Sequence, residues 1–368
     1  MENKLIKVGI THGDINGIGY EVIIKALSDP TINDLCIPIV YGSPKVAAYH
    51  RKALNINNFS FNNIRTAEEA NQKRANMINC LDDNVHVELG KSTPHGGQCA
   101  LASLEKAISD LKDGKIDVLV TAPIEKHNMQ SDEFRFPGHT EYLKSKFNSE
   151  DTLMFMISEN LKVGMATGHI PLSKVPELIT EDTILRKIKL MERSLLYDFG
   201  IRKPRIAVLG LNPHAGDNTL IGREEADVII PAINKAQQNG IFVFGPFPAD
   251  GFFGAGSFAK FDGILAMYHD QGIAPFKALA FDTGVNFTAG LSIVRTSPVH
   301  GTAFSIAGKG EASENSFRQA IYRACDIFRN RQLFNDISKN PLKHQDIDIK
   351  TDRVDELPPD LYNLEQPL

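Results

Sequence analysis

Three histidines of this sequence could together hold a metal ion. Each lies in a Gly- or Pro-containing turn directly after an apolar, strand-like run: His169 after 163–167, His214 after 206–211 and His269 after 264–268. In an open α/β sheet, functional groups gather beyond the carboxyl ends of the strands. Neutral imidazole suits zinc and related divalent ions, and three protein ligands with one position left open are typical of a catalytic metal site. A single histidine after a strand is more often a loop or core residue, but three in matching contexts favour one shared site.

Two cations and one predicted helix start could bind an anionic group. Lys277 and Arg295 stand among apolar residues, which is unusual for solvated charges. A guanidinium suits phosphate or carboxylate, and an ammonium makes a point contact, although either could instead belong to a surface ion pair. His139 and Thr140 stand where a helix is predicted to begin, over 140–146. Free N–H groups at such a start attract anions, whereas the alternative is that Thr140 only caps the helix.

Two aspartates are candidates for moving a proton. Asp270 directly follows His269, and Asp250 lies in a Pro-Ala-Asp-Gly turn. Either carboxylate could accept a proton from a substrate, or it could orient a metal-binding histidine through a hydrogen bond. Loop aspartates are also common turn formers, so the sequence leaves these roles open.

The elements that must position these residues alternate between short apolar strands and helices. A strand at 7–11 is followed by a Gly-rich loop and a helix over 21–27, and strands recur at 37–41 and 116–120. Such alternation predicts an α/β fold whose largely parallel sheet is covered by helices on both faces. The Gly-rich loop does not spell G-x-G-x-x-G, so it is only weak support for a dinucleotide site.

Length, charge and cysteine usage limit the classes of protein that fit. A chain of 368 residues is long for one hydrophobic core and predicts two lobes. The net charge of -5 argues against a surface for nucleic acid or acidic membranes. The sequence has no signal-peptide pattern and no long apolar window, and its cysteines are scattered. We therefore expect a cytoplasmic protein with free thiols that binds neither nucleic acid nor membrane.

Several ordered motifs together resemble the 4-hydroxythreonine-4-phosphate dehydrogenase family. They are Gly-Asp-x-x-Gly-Ile-Gly near the start, Pro-Gly-His-Thr-Glu at 137–141, Gly-Leu-Asn-Pro-His-Ala-Gly at 210–216, Tyr-His-Asp-Gln-Gly at 268–272, and Arg-Thr-Ser at 295–297 with His-Gly-Thr-Ala at 300–303. The resemblance extends from about Lys7 to Phe328. The first motif departs from the family at 15–16, which is Ile-Asn where Pro-Ala is usual, and at Tyr20, where Pro is usual.

The resemblance implies the two-lobed α/β architecture of isocitrate and isopropylmalate dehydrogenases, in a homodimer with active sites at the subunit interface. We place the first lobe at 1–130 plus 300–368 and the second, with the metal and substrate residues, at 131–299. The polar stretch 55–88 is interpreted as a peripheral elaboration of the first lobe. The tail after Asn340 is polar and is predicted to be loosely ordered.

The resemblance also implies residue roles and a reaction. The family's metal ligands fall on His169, His214 and His269, and its substrate contacts fall on His139, Thr140, Lys277, Asn286 and Arg295. One divalent ion per site (Zn, Co, Mg or Mn) and NAD or NADP would serve the oxidation of 4-phosphooxy-L-threonine at C3. Loss of CO₂ from the resulting β-keto acid gives 3-amino-2-oxopropyl phosphate, a step of pyridoxal phosphate biosynthesis. Asp250 is the first candidate for the proton acceptor and Asp270 the second.

Three alternatives stay open at the level of sequence. Relatives of this family oxidise 4-phospho-D-threonate or 4-phospho-D-erythronate, which would need the same histidines. A metal-dependent aldolase or hydrolase of a sugar phosphate could use the histidines and a phosphate pocket without a dinucleotide. A structural metal between subunits of a binding protein is disfavoured, because structural zinc sites usually recruit cysteine and none lies near these histidines.

Overall fold

Twelve strands form one mixed sheet in the residues that the computed structural model describes, which are 5–82, 84–130, 134–136 and 138–340. In chain order they are β1 (Ile6–Thr11), β2 (Cys36–Gly42), β3 (Asn62–Ile64), β4 (Asn76–Asn79), β5 (Val118–Thr121), β6 (Leu153–Ile157), β7 (Lys162–Met165), β8 (Ile206–Leu209), β9 (Val243–Phe247), β10 (Gly263–Ala266), β11 (Val285–Ala289) and β12 (Arg295–Pro298). The order across the sheet is β3-β4-β2-β1-β5-β12-β11-β6-β7-β10-β8-β9. Neighbours are parallel except β12 with β11, β11 with β6, and β6 with β7.

Helices connect most of these strands. They are α1 (Gly19–Leu27), α2 (Ile32–Leu35), α3 (Pro44–Ala53), α4 (Pro94–Lys112), α5 (His139–Lys146), α6 (Val175–Leu178), α7 (Glu181–Tyr197), α8 (Ile230–Gln238), α9 (Ala249–Gly254), α10 (His269–Ala280) and α11 (Asn315–Ser338). The starts of α3, α4 and α7 are capped by a Ser or Thr hydroxyl that accepts a backbone N–H of the first turn.

The sheet buries both of its faces. Successive residues of a strand point to opposite sides, and in β2 they enter different apolar clusters. Ile39 packs in a cluster with Leu104 of α4, whereas Val40 shares a cluster with Ile24 of α1 and Phe317 of α11. Burial of each such side chain stabilises the fold by roughly 1.5–3 kcal/mol. The predicted α/β fold with a largely parallel, helix-covered sheet is confirmed.

Some elements differ from their sequence-based prediction. The polar stretch 55–88 contributes β3 and β4, which extend the sheet at one edge rather than lying outside it. Helix α10 begins at His269 itself, so that histidine lies on a helix start and not in a turn. The sequence pattern predicts a terminal helix over about 316–328, whereas α11 continues to Ser338, and its last ten residues are mostly exposed, with Leu333 and Ile337 each 60% exposed. The two-lobe division stays a prediction, and Pro137 and the tail after Asn340 lie outside the described residues.

The cysteines agree with the expectation of free thiols. All four cysteines are free thiols, and only Cys80 is not fully buried. No helix within the described ranges is both long enough and apolar enough to cross a membrane.

The unusual residue of the first motif, Tyr20, has a structural explanation. Its ring is stacked between the imidazoles of His12 and His50, with centroid distances of 5.1 Å on each side, and its hydroxyl accepts a hydrogen bond from the backbone N–H of Ser43 at 2.9 Å. His50 Nε2 lies 2.8 Å from the carbonyl of Ile15. All three rings are buried, so this stack ties the Gly-rich loop to α3.

We expect this stack to make the fold sensitive to acid. Burial lowers the pKa of both His12 and His50 to about 4, from an ordinary value of 6.5. Below pH 6.5 these two histidines therefore bind protons in the unfolded chain but not in the folded chain. The free energy of unfolding falls as the pH drops from 6.5 towards 4. The loss between pH 7 and pH 5 should be about 2 kcal/mol per histidine. Urea unfolding at the two pH values measures it.

His12→Phe is the informative variant, because it keeps a flat ring in the stack and removes one titrating group. It should recover about 2 kcal/mol of the loss between pH 7 and pH 5, because His50 and other histidines whose pKa burial lowers, such as His139, keep their own contributions. A pH dependence of unfolding identical to that of the unmodified chain would contradict this account.

Candidate active site

One cavity of about 330 Å³ gathers most of the predicted site residues. It opens beside the carboxyl ends of β5, β7 and β10, the edge at which an open α/β sheet places its functional groups. The predicted residues that line it are His139, Thr140, His169, His269, Lys277, Asn286 and Arg295. His214, Asp250 and Asp270 do not line it.

Arg295 is a buried cation at the base of this cavity. Its guanidinium donates to the Thr121 hydroxyl through Nε (3.1 Å) and Nη2 (2.7 Å), and more weakly to the Thr288 hydroxyl through Nη1 (3.5 Å). The residue is only 3% exposed, and no carboxylate among the described residues forms an ion pair with it. Burial lowers the pKa of Arg295 to about 10, which still leaves it charged at neutral pH. An unpaired buried charge is costly, so this arrangement favours binding of an anion.

His139 extends the anion site as a neutral donor. Arg295 Nη2 lies 3.1 Å from His139 Nδ1, and an arginine can only donate, so Nδ1 accepts and the ring proton is on Nε2. Burial, followed by the charges of Arg295 and Lys126, lowers the pKa of His139 well below its ordinary value. The residue begins α5, and the Thr140 hydroxyl that follows lies 3.5 Å from the hydroxyl of Thr288. The first turn of α5 thus faces the cavity with N–H and hydroxyl donors.

Asn286 and Lys277 approach the cavity from other elements. Asn286 projects from β11, and its buried Oδ1 has no hydrogen-bond partner among the described residues. Lys277 lies on α10, two turns after His269, with Nζ 5.7 Å from the centre of the Phe281 ring. A buried acceptor without a donor is costly, so a ligand N–H or O–H is the expected partner for Asn286.

His169 and His269 form a pair at the mouth of the cavity. Their ring centres are 5.3 Å apart, and they also border a second cavity of about 310 Å³ on their other side. His269 Nδ1 lies 2.6 Å from Asp270 Oδ1, which orients the ring and leaves Nε2 for a ligand. Burial, and then the charge of Lys126, lowers the pKa of His169, so its imidazole is neutral, as metal binding requires.

His214 is not brought to this pair within one chain. It is exposed, in a 3₁₀ turn after β8, and its φ of 55° lies in the left-handed region. Ala215, Asp217, Asn218 and Thr219 share a positive φ. Non-glycine residues adopt this conformation at a cost, and such strain is typical of functional loops. In the part of the chain that the structure describes, no three His, Cys, Asp or Glu side chains form a metal-binding group.

Asp250 lies with His214 and away from the cavity. It is exposed near the start of α9, and α9 packs against the turn that carries His214. Asp270 is also largely exposed and borders the second cavity. The two candidate proton acceptors therefore occupy different places in the molecule.

Sequence reasoning missed several residues that line the cavity. They include Lys126, Glu141 and His300, and His300 Nε2 is buried without a partner among the described residues. Glu141 and His300 belong to the quoted motifs, which was the available signal. Lys126 lies in a loop after β5 and carries no pattern that marks it.

Comparison with known proteins decides the family. A family model described as "Pyridoxal phosphate biosynthetic protein PdxA" matches residues 34–324. The chain belongs to the PdxA family. A PdxA relative from Bacteroides thetaiotaomicron, named 4-hydroxythreonine-4-phosphate dehydrogenase, is 56% identical over 365 residues, which cover 97% of this chain and 100% of the relative. The resemblance inferred from the motifs is confirmed, and the chain is an oxidoreductase.

Other PdxA relatives bear a second name or supply solved structures. A D-threonate 4-phosphate dehydrogenase from Cupriavidus necator is 37% identical, covering 90% of this chain and 100% of the relative. The crystal structure of a 4-hydroxythreonine-4-phosphate dehydrogenase from Klebsiella pneumoniae is 34% identical with a TM-score of 0.76, covering 89% of this chain and 99% of that one. The PdxA fold is thus shared along almost the whole of these proteins.

Proposed function

We propose that this chain oxidises 4-phosphooxy-L-threonine at C3 with NAD or NADP and a divalent metal, and that decarboxylation then gives 3-amino-2-oxopropyl phosphate. This would be a step of pyridoxal phosphate biosynthesis in the cytoplasm. The observation that carries the proposal is a cavity with a buried Arg295, which forms no ion pair with any described residue, beside a pair of histidines. Such a cavity suits a small substrate with one phosphate and one oxygen to be oxidised.

The anion end of the substrate would bind at Arg295, His139 and Thr140. Arg295 brings the charge, His139 Nε2 and the Thr140 hydroxyl bring neutral donors, and the first turn of α5 adds free N–H groups. Lys277 and Asn286, which line the same cavity from α10 and β11, would bind the carboxylate and amine end. Two fixed ends leave C3 between them, which limits the orientations available to the reacting carbon.

The histidine pair fits a divalent metal. The ring centres of the two imidazoles lie 5.3 Å apart, and one of the rings is oriented by a carboxylate. When bound, the metal (Zn, Co, Mg or Mn) polarises the C3 hydroxyl and NAD(P)⁺ accepts the hydride. His169 and His269 would hold the metal from one subunit, and Asp270 would keep the His269 ring in place.

We propose that a second copy of the chain supplies His214. Its exposed position on a strained loop fits a residue that acts across an interface, and the second cavity leaves room beside the histidine pair. Asp250 is carried by the helix that packs on the same turn, so it would arrive with His214 and remains our first candidate for the proton acceptor. The active site would then be shared in a homodimer.

The two-lobe division also enters the proposal. The loop after β5, which belongs to the first segment (1–130 plus 300–368), lines the cavity. His169 and His269, which belong to the segment 131–299, line it as well. A cleft between lobes would let closure remove water from the substrate during the reaction.

A second candidate activity is oxidation of 4-phospho-D-threonate or 4-phospho-D-erythronate. The Cupriavidus necator relative, which is named a D-threonate 4-phosphate dehydrogenase, favours this activity. Its sequence identity to this chain is comparable to that of some relatives named 4-hydroxythreonine-4-phosphate dehydrogenase. The substrates differ at C2, which carries an amine in one and a hydroxyl in the other. Both would use the same phosphate and metal contacts, so substrate profiling must separate them.

The deciding experiment follows absorbance at 340 nm with the metal-loaded protein, NAD⁺ or NADP⁺ and each of the three substrates. We expect metal-dependent reduction of the dinucleotide that favours 4-phosphooxy-L-threonine and stops on chelation. Preference for a D-compound would assign the chain to the second activity. Consumption of substrate without dinucleotide would contradict both and would return the aldolase or hydrolase alternative.

A further inference from the structure

We infer that Lys126 is a further substrate-binding residue, and that its ammonium contacts the phosphate together with Arg295. The inference rests on the proposed function, which it deepens by naming a residue that no comparison assigns. Lys126 lies in the loop after β5 and lines the cavity. The proposed phosphate contacts His139, Thr140 and Arg295 line the same cavity.

The donors of Arg295 are largely committed before any ligand arrives. Nε and Nη2 donate to Thr121, Nη2 also donates to His139, and Nη1 donates to Thr288. A guanidinium has five N–H donors, so these contacts leave about one of them, on Nη1. A phosphate monoester carries close to two negative charges and three acceptor oxygens. The neutral donors of His139, Thr140 and α5 supply hydrogen bonds but no full charge, so a second cation would balance the remaining charge of the phosphate.

Lys126 has the position and the freedom to be that cation. A Cβ on Gly138 would lie 3.5 Å from Lys126 Cε, so the side chain passes beside the residue that precedes α5. The Gln130 amide donates to the carbonyls of both Lys126 (3.1 Å) and Phe136 (2.9 Å), which ties this loop to the approach of the helix. The side chain itself is exposed and makes no ion pair or hydrogen bond within the described residues.

The surroundings of Gly138 explain why a cation is required there. Glu141 Oε2 would lie 3.5 Å from the same Cβ position, so a carboxylate stands near the first turn of α5. A phosphate at that turn would be repelled by Glu141 unless a positive charge stands between them. The Lys126 side chain, which comes from the loop after β5, lies beside Gly138. Its positive charge offsets the negative charge of Glu141 when the phosphate binds.

Binding of inorganic phosphate to Lys126→Met tests the inference without any catalytic step. Isothermal titration calorimetry should show phosphate binding weakened roughly 10- to 100-fold, while Lys126→Arg retains most of the affinity. Lys52→Met is the matched control, since Lys52 is an exposed lysine of α3 outside the cavity, and it should bind phosphate as the unmodified chain does. Equal affinity in Lys126→Met and the control would overturn the inference.

Kinetics provide the second readout. With 4-phosphooxy-L-threonine, Lys126→Met should raise KM by a similar factor while kcat changes less than about 3-fold, as for a contact made equally in the ground and transition states. A fall in kcat with unchanged KM would overturn the assignment to phosphate binding. If the unmodified protein turns over none of the three substrates, the proposed function fails, whereas the phosphate titration still decides the role of Lys126.

Discussion

Arg295→Leu should lower kcat/KM for 4-phosphooxy-L-threonine by about 30- to 900-fold, which corresponds to 2–4 kcal/mol of lost transition-state binding. The reason is that Arg295 is the only one of the proposed anion contacts that is both charged and buried among the described residues. A desolvated charge binds an anion far more strongly than an exposed one. Steady-state kinetics with the metal-loaded protein measure the effect.

The same variant should not destabilise the fold. Arg295 has no acidic partner among the described residues, so leucine removes a buried charge and leaves none behind. The hydroxyls of Thr121 and Thr288 and Nδ1 of His139 lose a donor, which costs roughly 1–3 kcal/mol, and relief of the buried charge offsets it. We expect a free energy of unfolding within about 1 kcal/mol of the unmodified chain.

Arg331→Leu is the matched control. Arg331 is also buried, but its Nε lies 2.6 Å from Asp198 Oδ1, in a pair away from the cavity. Its loss leaves a buried carboxylate without its cation and should cost roughly 3–5 kcal/mol of stability, with kcat/KM of the folded protein unchanged. If Arg295→Leu were destabilised and kept a normal kcat/KM, Arg295 would stabilise the fold and would not bind the substrate.

His214→Ala should abolish both metal retention and activity while the fold remains. An exposed side chain contributes little to stability, so thermal unfolding of the metal-free protein should be unchanged. Loss of one of three ligands should leave substoichiometric metal after dialysis, measured by elemental analysis. Full metal content and activity in His214→Ala would refute the ligand assignment.

Mixed dimers test whether His214 acts across the interface. His214→Ala alone is expected to be inactive, and Arg295→Leu alone is expected to keep at most a few per cent of full activity. If the site is shared, a dimer of one of each contains one complete site, and random mixing should restore about a quarter of full activity. Restored activity after mixing supports the shared site, whereas no recovery would show that His214 serves its own subunit.

The placement of several candidate site residues at one edge of the sheet could be predicted, because they follow strongly patterned elements. Runs such as 163–167 and 264–268 are apolar and short, so they predict buried strands, and the following residues must lie at one edge of the sheet. The strands β7 and β10 confirm this and pair with each other. Family membership followed from the motifs, because they preserve residue type and order over most of the chain.

Tertiary structure alone decided which of these residues meet. His169 and His269 are 100 positions apart and come within 5.3 Å because their strands are hydrogen-bonded neighbours. His214 follows β8, the next strand along the sheet, yet its turn takes a left-handed path to the surface. Local patterns determine which backbone forms a strand or a helix, but the direction of a loop and the partners of a buried charge depend on packing between distant segments. The hydrogen bonds of Arg295 to Thr121 and His139, and the position of Lys126 beside Gly138, therefore follow only from the folded chain.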